Sequence, residues 1–332
     1  MISVESQVLQ RHLPFFAGKS VLFAGSLSDN FPAQLKDSGS VQVVSSYYDY
    51  VRRIQSAVSA DFSIESRGHV EVIVYYWGKN KQEVGFQLTQ LLSQAPIGQA
   101  LLIIGENRSG VRSVEKILQP FGNIHKIDSA RRCGLYHFEL QTKPHFVLEH
   151  YWKQYQHPQL SDLTVHSLPG VFSAGELDQG TALLLSTLSH KVSGRVLDLG
   201  CGVGVIGSYL KRQNPNISLV MSDIHAMALA SANRTLQQNR LEGEVVASDV
   251  FSDLQGKFDL IISNPPFHDG IDTAYRAVQE LISQAKWFLR QGGELRIVAN
   301  AFLPYPELLD RAFGEHRLLA KSNKFKVYAA YA

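Results

Sequence analysis

The sequence has few of the features that mark secreted, membrane-spanning or metal-binding proteins. Its 332 residues include 2 cysteines, Cys133 and Cys201, which are too few for a disulfide framework or a cysteine metal cluster. No apolar run approaches the roughly 18 residues that a membrane helix needs. The first residues, MISVESQVLQRH, lack a basic segment followed by an apolar one, so no export signal is visible. We therefore expect a cytoplasmic protein without a membrane partner or a bound metal.

Charge of one sign is also scarce. The 32 basic and 30 acidic residues leave a formal net charge of +2, and neither half of the chain has a strong basic excess. A nucleic-acid partner must therefore be argued from a site and not from overall charge. The rest of the composition, 45% hydrophobic and 19% charged, is that of a folded globular protein. The length favours two domains.

The second half alternates apolar strands with amphipathic helices, a pattern typical of an open α/β sheet. Helices are predicted between the first five strands, notably over Met227–Asn239 and Asp272–Leu289. Only Ser322–Lys324 separates the last two strands, so a mostly parallel, seven-stranded sheet should close with an antiparallel hairpin, unlike a dinucleotide-binding sheet. The predicted strands are Arg195–Leu199, Ser218–Ser222, Glu244–Ala247, Phe258–Ser263, Gly293–Val298, His316–Lys321 and Phe325–Ala330.

The first half repeats the second in an eroded form. Three landmarks of one half recur in the same order in the other, which favours duplication of a whole domain over the chance similarity of two α/β domains. The matched landmarks are Val21–Asp29 with Val196–Gly204, Val70–Val74 with Phe258–Ile262, and Phe121-Gly122 before Tyr136 with Phe313-Gly314 before Tyr328.

The erosion falls on the polar and glycine positions of the repeat. Side chains in place of loop glycines block the approach of a ligand to the backbone, so we expect the first domain to keep the fold and to have lost the pocket. The replaced positions are Phe23 for Asp198, Leu27 for Gly202, Asp29 for Gly204 and Tyr76 for Asn264.

Three segments follow from this organisation. Residues 1–140 are predicted to form a degenerate domain that binds substrate or serves as a scaffold. Residues 141–168 are rich in proline, histidine and aromatic residues, and we expect a connector packed on a domain face, since a free linker carries fewer aromatics. Residues 169–332 are predicted to form the catalytic domain.

A glycine-rich turn, VLDLGCGVG, follows the first strand of the second half. Gly200, Gly202 and Gly204 permit positive φ and let a ligand lie on the backbone. The spacing alone also fits the dinucleotide fingerprint, and Asp223, at the end of the next strand, can hold ribose hydroxyls in either case. Asp198 favours a different ligand, because a carboxylate there repels a pyrophosphate and attracts a cation.

S-adenosylmethionine fits these residue types as a cofactor. Its ammonium suits Asp198, its ribose suits Asp223, and its adenine amino group can donate to Asp249 after the third strand. The alternative is purely structural: Asp198 caps the turn, and Asp223 and Asp249 cap the helices that follow them.

A second motif, SNPPF, follows the fourth strand and so lies at the same sheet edge. The side-chain oxygen of Asn264 can accept a hydrogen bond from a planar amino group, and the carbonyl of Pro265, or that of Asn264, can accept a second. Phe267 offers a face on which a flat base can stack. Two acceptors aim the lone pair of a poorly nucleophilic amine at a methyl group, so positioning supplies much of the acceleration without a metal. A turn that merely ends the strand is the alternative.

The glycine loop and the strand order of residues 193–332 resemble class I S-adenosylmethionine-dependent methyltransferases. An Asn-Pro-Pro-aromatic motif occurs in such enzymes that act on adenine N6, on guanine N2 and on glutamine side chains. Residues 169–185, 258–270 and 292–306 resemble, more specifically, the ribosomal RNA small subunit methyltransferase C family. In that family a degenerate methyltransferase-like domain precedes the active one.

This resemblance implies methyl transfer to N2 of one guanine, at position 1207 of 16S rRNA, in the small ribosomal subunit. The guanine would have to flip into the pocket, and we expect the enzyme to be a monomer. The resemblance also places Asp178, Gly180 and Thr181 near the methionine end of the cofactor. Large-subunit guanine-N2 enzymes and protein-glutamine N5 methyltransferases remain alternatives. A non-catalytic binding module and a nicotinamide dehydrogenase are more distant ones.

Overall fold

The structure is a computed structural model that describes residues 2–66, 69–188, 191–265 and 271–332, and within 271–274 only the backbone. Phe267, one of the predicted acceptor-site residues, lies outside the described residues. The chain divides into two units, Met1–Tyr151 and Trp152–Ala332. This division falls within the segment 141–168 that the sequence predicts as the connector.

The first unit contains a seven-stranded sheet of spatial order β3-β2-β1-β4-β5-β7-β6, in which β7 runs antiparallel to both its neighbours and the other pairs are parallel. Its strands are β1 (Ser20–Gly25), β2 (Ser40–Ser45), β3 (Ser59–Phe62), β4 (Val72–Tyr76), β5 (Ala100–Glu106), β6 (Gly122–Ala130) and β7 (Cys133–Leu140). Its helices are α1 (Val4–Leu9), α2 (Tyr48–Ile54), α3 (Lys81–Gln94) and α4 (Val114–Leu118).

The second unit contains a short hairpin and a second seven-stranded sheet, of order β12-β11-β10-β13-β14-β16-β15. The hairpin consists of β8 (Lys153–Gln156) and β9 (Thr164–Ser167). The sheet strands are β10 (Arg195–Leu199), β11 (Ser218–Asp223), β12 (Glu244–Ala247), β13 (Phe258–Ser263), β14 (Leu289–Asn300), β15 (Arg317–Lys321) and β16 (Phe325–Tyr331). The helices are α5 (Gln179–Ser186), α6 (Val205–Gln213), α7 (Ala226–Gln238), α8 (Ile271–Phe288) and α9 (Tyr305–Phe313).

The two sheets have the same strand order and register, which confirms the predicted tandem α/β architecture with its closing antiparallel strands. Both sheets place matched residues of the two halves at matched positions, so the sequence alignment of the halves holds in three dimensions. Equivalent neighbours are Phe23–Val74 and Asp198–Ile262 in the centre of each sheet, and Ile103–Tyr136 and Ile297–Tyr328 at the antiparallel strand.

The clearest difference from the sequence prediction is β14, which is longer at both ends than the predicted Gly293–Val298. Phe258 of β13 pairs with Leu289, whereas Leu260 pairs with Glu294, so a bulge carries the strand through the intervening glycines. The extension at the other end reaches Asn300, and it brings the following loop beside the edge where β13 ends.

The β8–β9 hairpin belongs to the second unit because it packs on α7. The amide of His166 donates to the hydroxyl of Thr235 and that of Leu168 to the hydroxyl of Ser231, both at 3.0 Å. Thr235 and Ser231 are fully buried, and these bonds satisfy polar groups that would otherwise be costly inside the protein. Residues 152–168 are therefore an integral layer of the second unit.

Helices cover both faces of the second sheet, which explains why its central strands are almost continuously apolar. Val196 and Leu197 in β10, and Ile261 and Ile262 in β13, are completely buried. Asp198 interrupts this apolar run as a fully buried carboxylate. No helix within the described ranges is both long and apolar enough to cross a membrane.

Candidate active site

Three strands of the second unit end together at one edge of its sheet. β10 lies between β11 and β13 and is parallel to both, so their carboxyl ends are side by side. The Ser263 hydroxyl donates to the Leu199 carbonyl (2.7 Å), and the Gly200 amide donates to the Ser222 carbonyl (2.8 Å). These bonds join the glycine loop to the end of β11 and to the residue that precedes Asn264.

The predicted loop glycines serve two different purposes. Gly200, Gly202 and Gly204 have φ angles of 71°, 53° and 76°. Among described atoms, a Cβ added at Gly200 would meet nothing within 4 Å, and one at Gly202 would meet only the Phe172 carbonyl at 3.7 Å. A Cβ at Gly204 would lie 2.9 Å from Ala232 of α7. The first two glycines therefore leave open space above the loop, whereas the third allows α7 to pack against it.

Asp198 lies directly beneath this loop. Its Oδ2 accepts a hydrogen bond from the Gly207 amide at 2.8 Å, and its buried Oδ1 has no partner in the part of the chain that the structure describes. Burial raises the pKa of the Asp198 carboxyl to about 7, opposed by the bond from Gly207 and aided by the charge of Asp223. A buried carboxylate that its own protein leaves half-paired favours a cation nearby.

Asp223 and Asp249 lie at the ends of neighbouring strands. The half-buried Asp223 accepts from the amides of Gly202 (Oδ2) and His225 (Oδ1), both at 2.9 Å. Burial raises its pKa, and these two bonds oppose the rise. Ser248, just before the exposed Asp249, donates its amide to the Asp223 carbonyl at 3.1 Å. Asp223 thus fixes the loop and keeps carboxylate lone pairs for a ligand.

The side chain of Asn264 has a defined orientation. Its Nδ2 donates to Asp178 Oδ2 at 3.1 Å and to the Thr181 hydroxyl at 2.8 Å. A carboxylate only accepts hydrogen bonds, so the amino end of the amide must face Asp178. The carbonyl oxygen Oδ1 receives no hydrogen bond from any described residue. Asn264 therefore presents an unused acceptor at the sheet edge, with the buried Pro265 next to it.

Asp178 has a role that the sequence reasoning missed. It is the N-cap of α5 and accepts from the Thr181 amide at 2.8 Å while also holding Asn264. A Cβ at Gly180 would lie 3.1 Å from Asp178 Oδ2 and from the Phe325 ring, so this glycine lets the helix start pack closely. The capping pattern Asp-x-x-Thr before an apolar run was the available signal, but the sequence does not show which strand end it meets.

Phe172 was also missed. Its side chain is 52% exposed, and its carbonyl lies over the glycine loop at Gly202. An aromatic ring left in water beside a loop with open space above it is a candidate ligand contact. The sequence signal, a phenylalanine between two glycines, is too common to indicate this.

Cys201 offers no nucleophile, because burial raises the pKa of its thiol well above the usual range and leaves it neutral. No cluster of three or more histidine, cysteine or acidic side chains that would suit a metal ion occurs in the described ranges. The edge instead combines a glycine loop, buried and half-buried carboxylates, and an oriented amide.

Comparison with known proteins identifies the class of protein to which this fold and this sheet edge belong. Residues 162–329 match the family "Methyltransferase small domain", and residues 6–155 match "Methyltransferase small domain N-terminal". Both halves are therefore methyltransferase-type domains.

Full-length relatives specify the family. Proteins named ribosomal RNA small subunit methyltransferase C from Haemophilus influenzae (strain 86-028NP) and Pasteurella multocida are 69% and 67% identical, each over 99% of both chains. The chain belongs to the ribosomal RNA small subunit methyltransferase C family. A solved structure of T. thermophilus 16S rRNA N2 G1207 methyltransferase, in complex with AdoMet and guanosine, is similar with a TM-score of 0.87 and 25% identity. That match covers 99% of this chain and 92% of the other.

Proposed function

We propose that this protein transfers a methyl group from S-adenosylmethionine to the exocyclic N2 of a guanine in 16S rRNA. The observation that carries the proposal is the Asn264 amide, whose nitrogen is held by Asp178 and Thr181 so that its oxygen is left for an amino group. The similar T. thermophilus enzyme, named for N2 of G1207 and solved with AdoMet and guanosine, supports guanine N2 as the acceptor and position 1207 as its place in 16S rRNA.

The donor side of the edge fits S-adenosylmethionine in space and in charge. Gly200 and Gly202 leave room for a ligand against the backbone, and Asp198 supplies a buried carboxylate whose Oδ1 no described residue pairs with. Asp223 has lone pairs left for ribose hydroxyls, and the exposed Asp249 can accept a hydrogen bond from the adenine amino group. When bound, the cofactor supplies an electrophilic methyl group on a positively charged sulfur.

The acceptor side explains how an unreactive amine is prepared for attack. The N2 amino group of guanine is conjugated with the ring, so its lone pair is delocalised. Asn264 Oδ1 and the Pro265 carbonyl each accept one amino hydrogen, which favours tetrahedral nitrogen and directs the lone pair out of the ring plane. Phe267, outside the described residues, is proposed to stack on the base. The extra proton leaves to water after transfer, so no side-chain base is needed.

The acceptor must be tested directly, since a guanine of large-subunit rRNA or a glutamine amide offers a similar planar amino group. Small ribosomal subunits from cells that lack the protein are incubated with the protein and a tritium-labelled methyl donor, and the RNA is digested to nucleosides. We expect the label in N2-methylguanosine from 16S rRNA. Label only in large-subunit RNA, or in a protein such as a release factor, would overturn the proposal.

We further propose that the protein acts as a cytoplasmic monomer and that residues 1–140 help to hold the ribosomal RNA. In the first domain the buried aromatic rings of Phe23 and Tyr76 take the places of Asp198 and Asn264, which supports a role in binding rather than in catalysis. Photochemical crosslinking of the full-length protein to small subunits, followed by peptide mapping, should yield RNA-linked peptides from both 1–140 and 169–332. Crosslinks restricted to 169–332 would contradict the role of the first domain.

A further inference from the structure

The second unit carries a basic turn at the acceptor side of its sheet. We define the lysine turn as Lys321, Lys324 and Lys326, together with Phe302 in the loop after β14. Lys321 and Lys324 are exposed and Lys326 is half-buried. The amide of Ala301 donates to the Lys324 carbonyl at 2.8 Å, which fixes the loop that carries Phe302 against the β15–β16 turn.

Two features of the lysine turn work against folding. Lys321 and Lys326 are direct cross-strand partners, and like charges placed opposite each other destabilise a sheet. None of the three lysines forms an ion pair with a described acidic residue. Phe302 leaves 83% of its surface exposed, more than any other large hydrophobic residue that the structure describes. Like charges without counter-ions beside an exposed aromatic ring fit an anionic, stacking partner.

Protection of a sheet edge against unwanted strand pairing does not explain the three lysines. Lysines often prevent unwanted pairing on edge strands, and Lys321 does lie on the edge strand β15. Lys326, however, lies on β16, which is hydrogen-bonded to β14 on one side and to β15 on the other, and Lys324 lies in the turn. Two of the three lysines are therefore not at an open edge.

The position of the lysine turn connects it to the acceptor site. The Phe325 ring packs against Gly180 at the start of α5, and that helix start carries Asp178, which holds Asn264. Only β14 lies between β13 and β16, so two strand spacings, about 10 Å in total, separate these strands across the sheet. The turn is thus within reach of nucleotides that flank a base placed at Asn264.

We infer that the lysine turn binds the RNA strand that flanks the target guanine. The lysines contact backbone phosphates, and Phe302 stacks on an adjacent base. This inference rests on the proposed function, because it requires RNA at the Asn264 site. It adds a surface on the catalytic domain itself that holds the substrate strand close to the site of reaction.

The test compares the double variant Lys321→Gln/Lys324→Gln with Lys191→Gln/Lys257→Gln. Lys191 and Lys257 are exposed and precede β10 and β13, at the opposite edge of the same sheet, so the control removes equal charge. Methylation of small subunits is measured over a range of salt concentrations. For the lysine-turn variant we expect KM to rise about tenfold, with kcat nearly unchanged. The slope of log KM against log salt concentration should decrease by about 1 to 2. The control should match the wild type.

Phe302 is tested separately. Phe302→Ala should raise KM about tenfold, and Phe302→Tyr, which keeps the stacking surface, should restore it. Equal KM values for the lysine-turn variant and its control would overturn the inference, as would a raised KM accompanied by aggregation in size-exclusion chromatography. If the wild type itself places no label in 16S rRNA, the proposed function fails instead, so the two failures are distinguishable.

Discussion

In both units the helix that precedes the sheet is tied to the end of an equivalent strand. In the first unit the Ser3 hydroxyl accepts from the Ser6 amide at 3.1 Å, and the Ser6 hydroxyl bonds the Tyr76 hydroxyl at 2.7 Å. In the second unit Asp178 accepts from the Thr181 amide, and the Thr181 hydroxyl accepts from Asn264. The helix cap and its link to the strand are therefore common to both copies.

The two copies differ in whether the residue at the strand end keeps a hydrogen-bond acceptor for a ligand. The Tyr76 ring is buried with its centroid 6.3 Å from that of Phe23, which occupies the place of Asp198. Asn264 instead donates its amide nitrogen to the helix start and keeps its side-chain oxygen for a ligand. The same backbone therefore gives a filled aromatic core in one copy and an open acceptor in the other, so chemistry at this edge depends on a few side chains and not on the fold.

The largest effect is expected at the strand end itself. Asn264→Ala removes the acceptor oxygen and should lower kcat at least about a hundredfold, because an aligned hydrogen-bond acceptor acts directly on the reacting group. Affinity for the methyl donor, measured by calorimetry, should be nearly intact. Tyr76→Phe changes the equivalent residue of the first unit and should leave kcat at the wild-type value. A comparable loss of kcat in Tyr76→Phe would mean that the two strand ends are not functionally different.

The next effect is expected beneath the loop, where Asp198 replaces an aromatic residue of the first unit. Asp198→Asn removes a buried negative charge and should weaken donor binding about tenfold or more at pH 8. Because burial raises the pKa of Asp198 to about 7, the wild type should also bind the donor more weakly at pH 6 than at pH 8. The variant should show little of this pH dependence. Equal donor affinities for wild type and variant at pH 8 would show that Asp198 does not contribute to donor binding.

Asp198 should also lower stability at high pH. Its pKa is raised in the folded protein, so between about pH 4 and pH 7 the folded state holds a proton that the unfolded state releases, and stability falls as pH rises through this window. Above pH 7 the cost is up to about 4 kcal/mol. Urea unfolding should therefore show Asp198→Asn more stable than the wild type at pH 8, with a much smaller difference at pH 4. A variant that is less stable at pH 8 would contradict this.

A smaller effect is expected from removing the hydrogen bond between the helix start and the strand end, which both copies share. Thr181→Val removes one hydrogen bond that orients Asn264 and should lower kcat about fivefold, with the KM for the donor unchanged. Thr181→Ser should restore kcat. Ser6→Ala breaks the equivalent bond in the first unit and should cost about 1 kcal/mol of stability without changing kcat. If Thr181→Val lowers stability but not kcat, the tie is structural in both copies.

The last comparison concerns stability alone, at a glycine that both copies retain. A Cβ at Gly25 would lie 2.2 Å from the Tyr76 carbonyl, whereas one at Gly200 meets no described atom within 4 Å. Gly25→Ala should therefore lower the free energy of unfolding by about 3 kcal/mol, and Gly200→Ala by only about 1 kcal/mol from its positive φ. Urea titration of the two variants measures this, and equal losses would contradict the view that only the second loop has open space.

Much of the second unit could be predicted because its local patterns agree with its tertiary structure. The bounds of β10, β12 and β13 follow from short apolar runs ended by turns. β14 was underestimated, since the bulge that carries it past two glycines depends on pairing with β13. The hairpin β8–β9 was missed for a similar reason, because buried hydroxyls of α7 hold it in place.

The candidate site was predictable in its residue types but not in its contacts. Glycines and acids after apolar strands indicate a ligand edge, because parallel strands end together. Whether Asp198 is exposed or buried, and whether Asp178 faces a cofactor or Asn264, depends on packing between segments that are distant in sequence. The orientation of the Asn264 amide is the clearest example, since it is set by a helix cap more than eighty residues away.

A crystal structure of the full chain with S-adenosylhomocysteine and guanosine would show the contact between the acceptor amino group and Asn264 itself. We expect the guanosine amino group to donate to Asn264 Oδ1, while Asn264 Nδ2 stays on Asp178 and Thr181. Guanosine bound away from Asn264, or an amide turned so that its nitrogen faces the base, would contradict it.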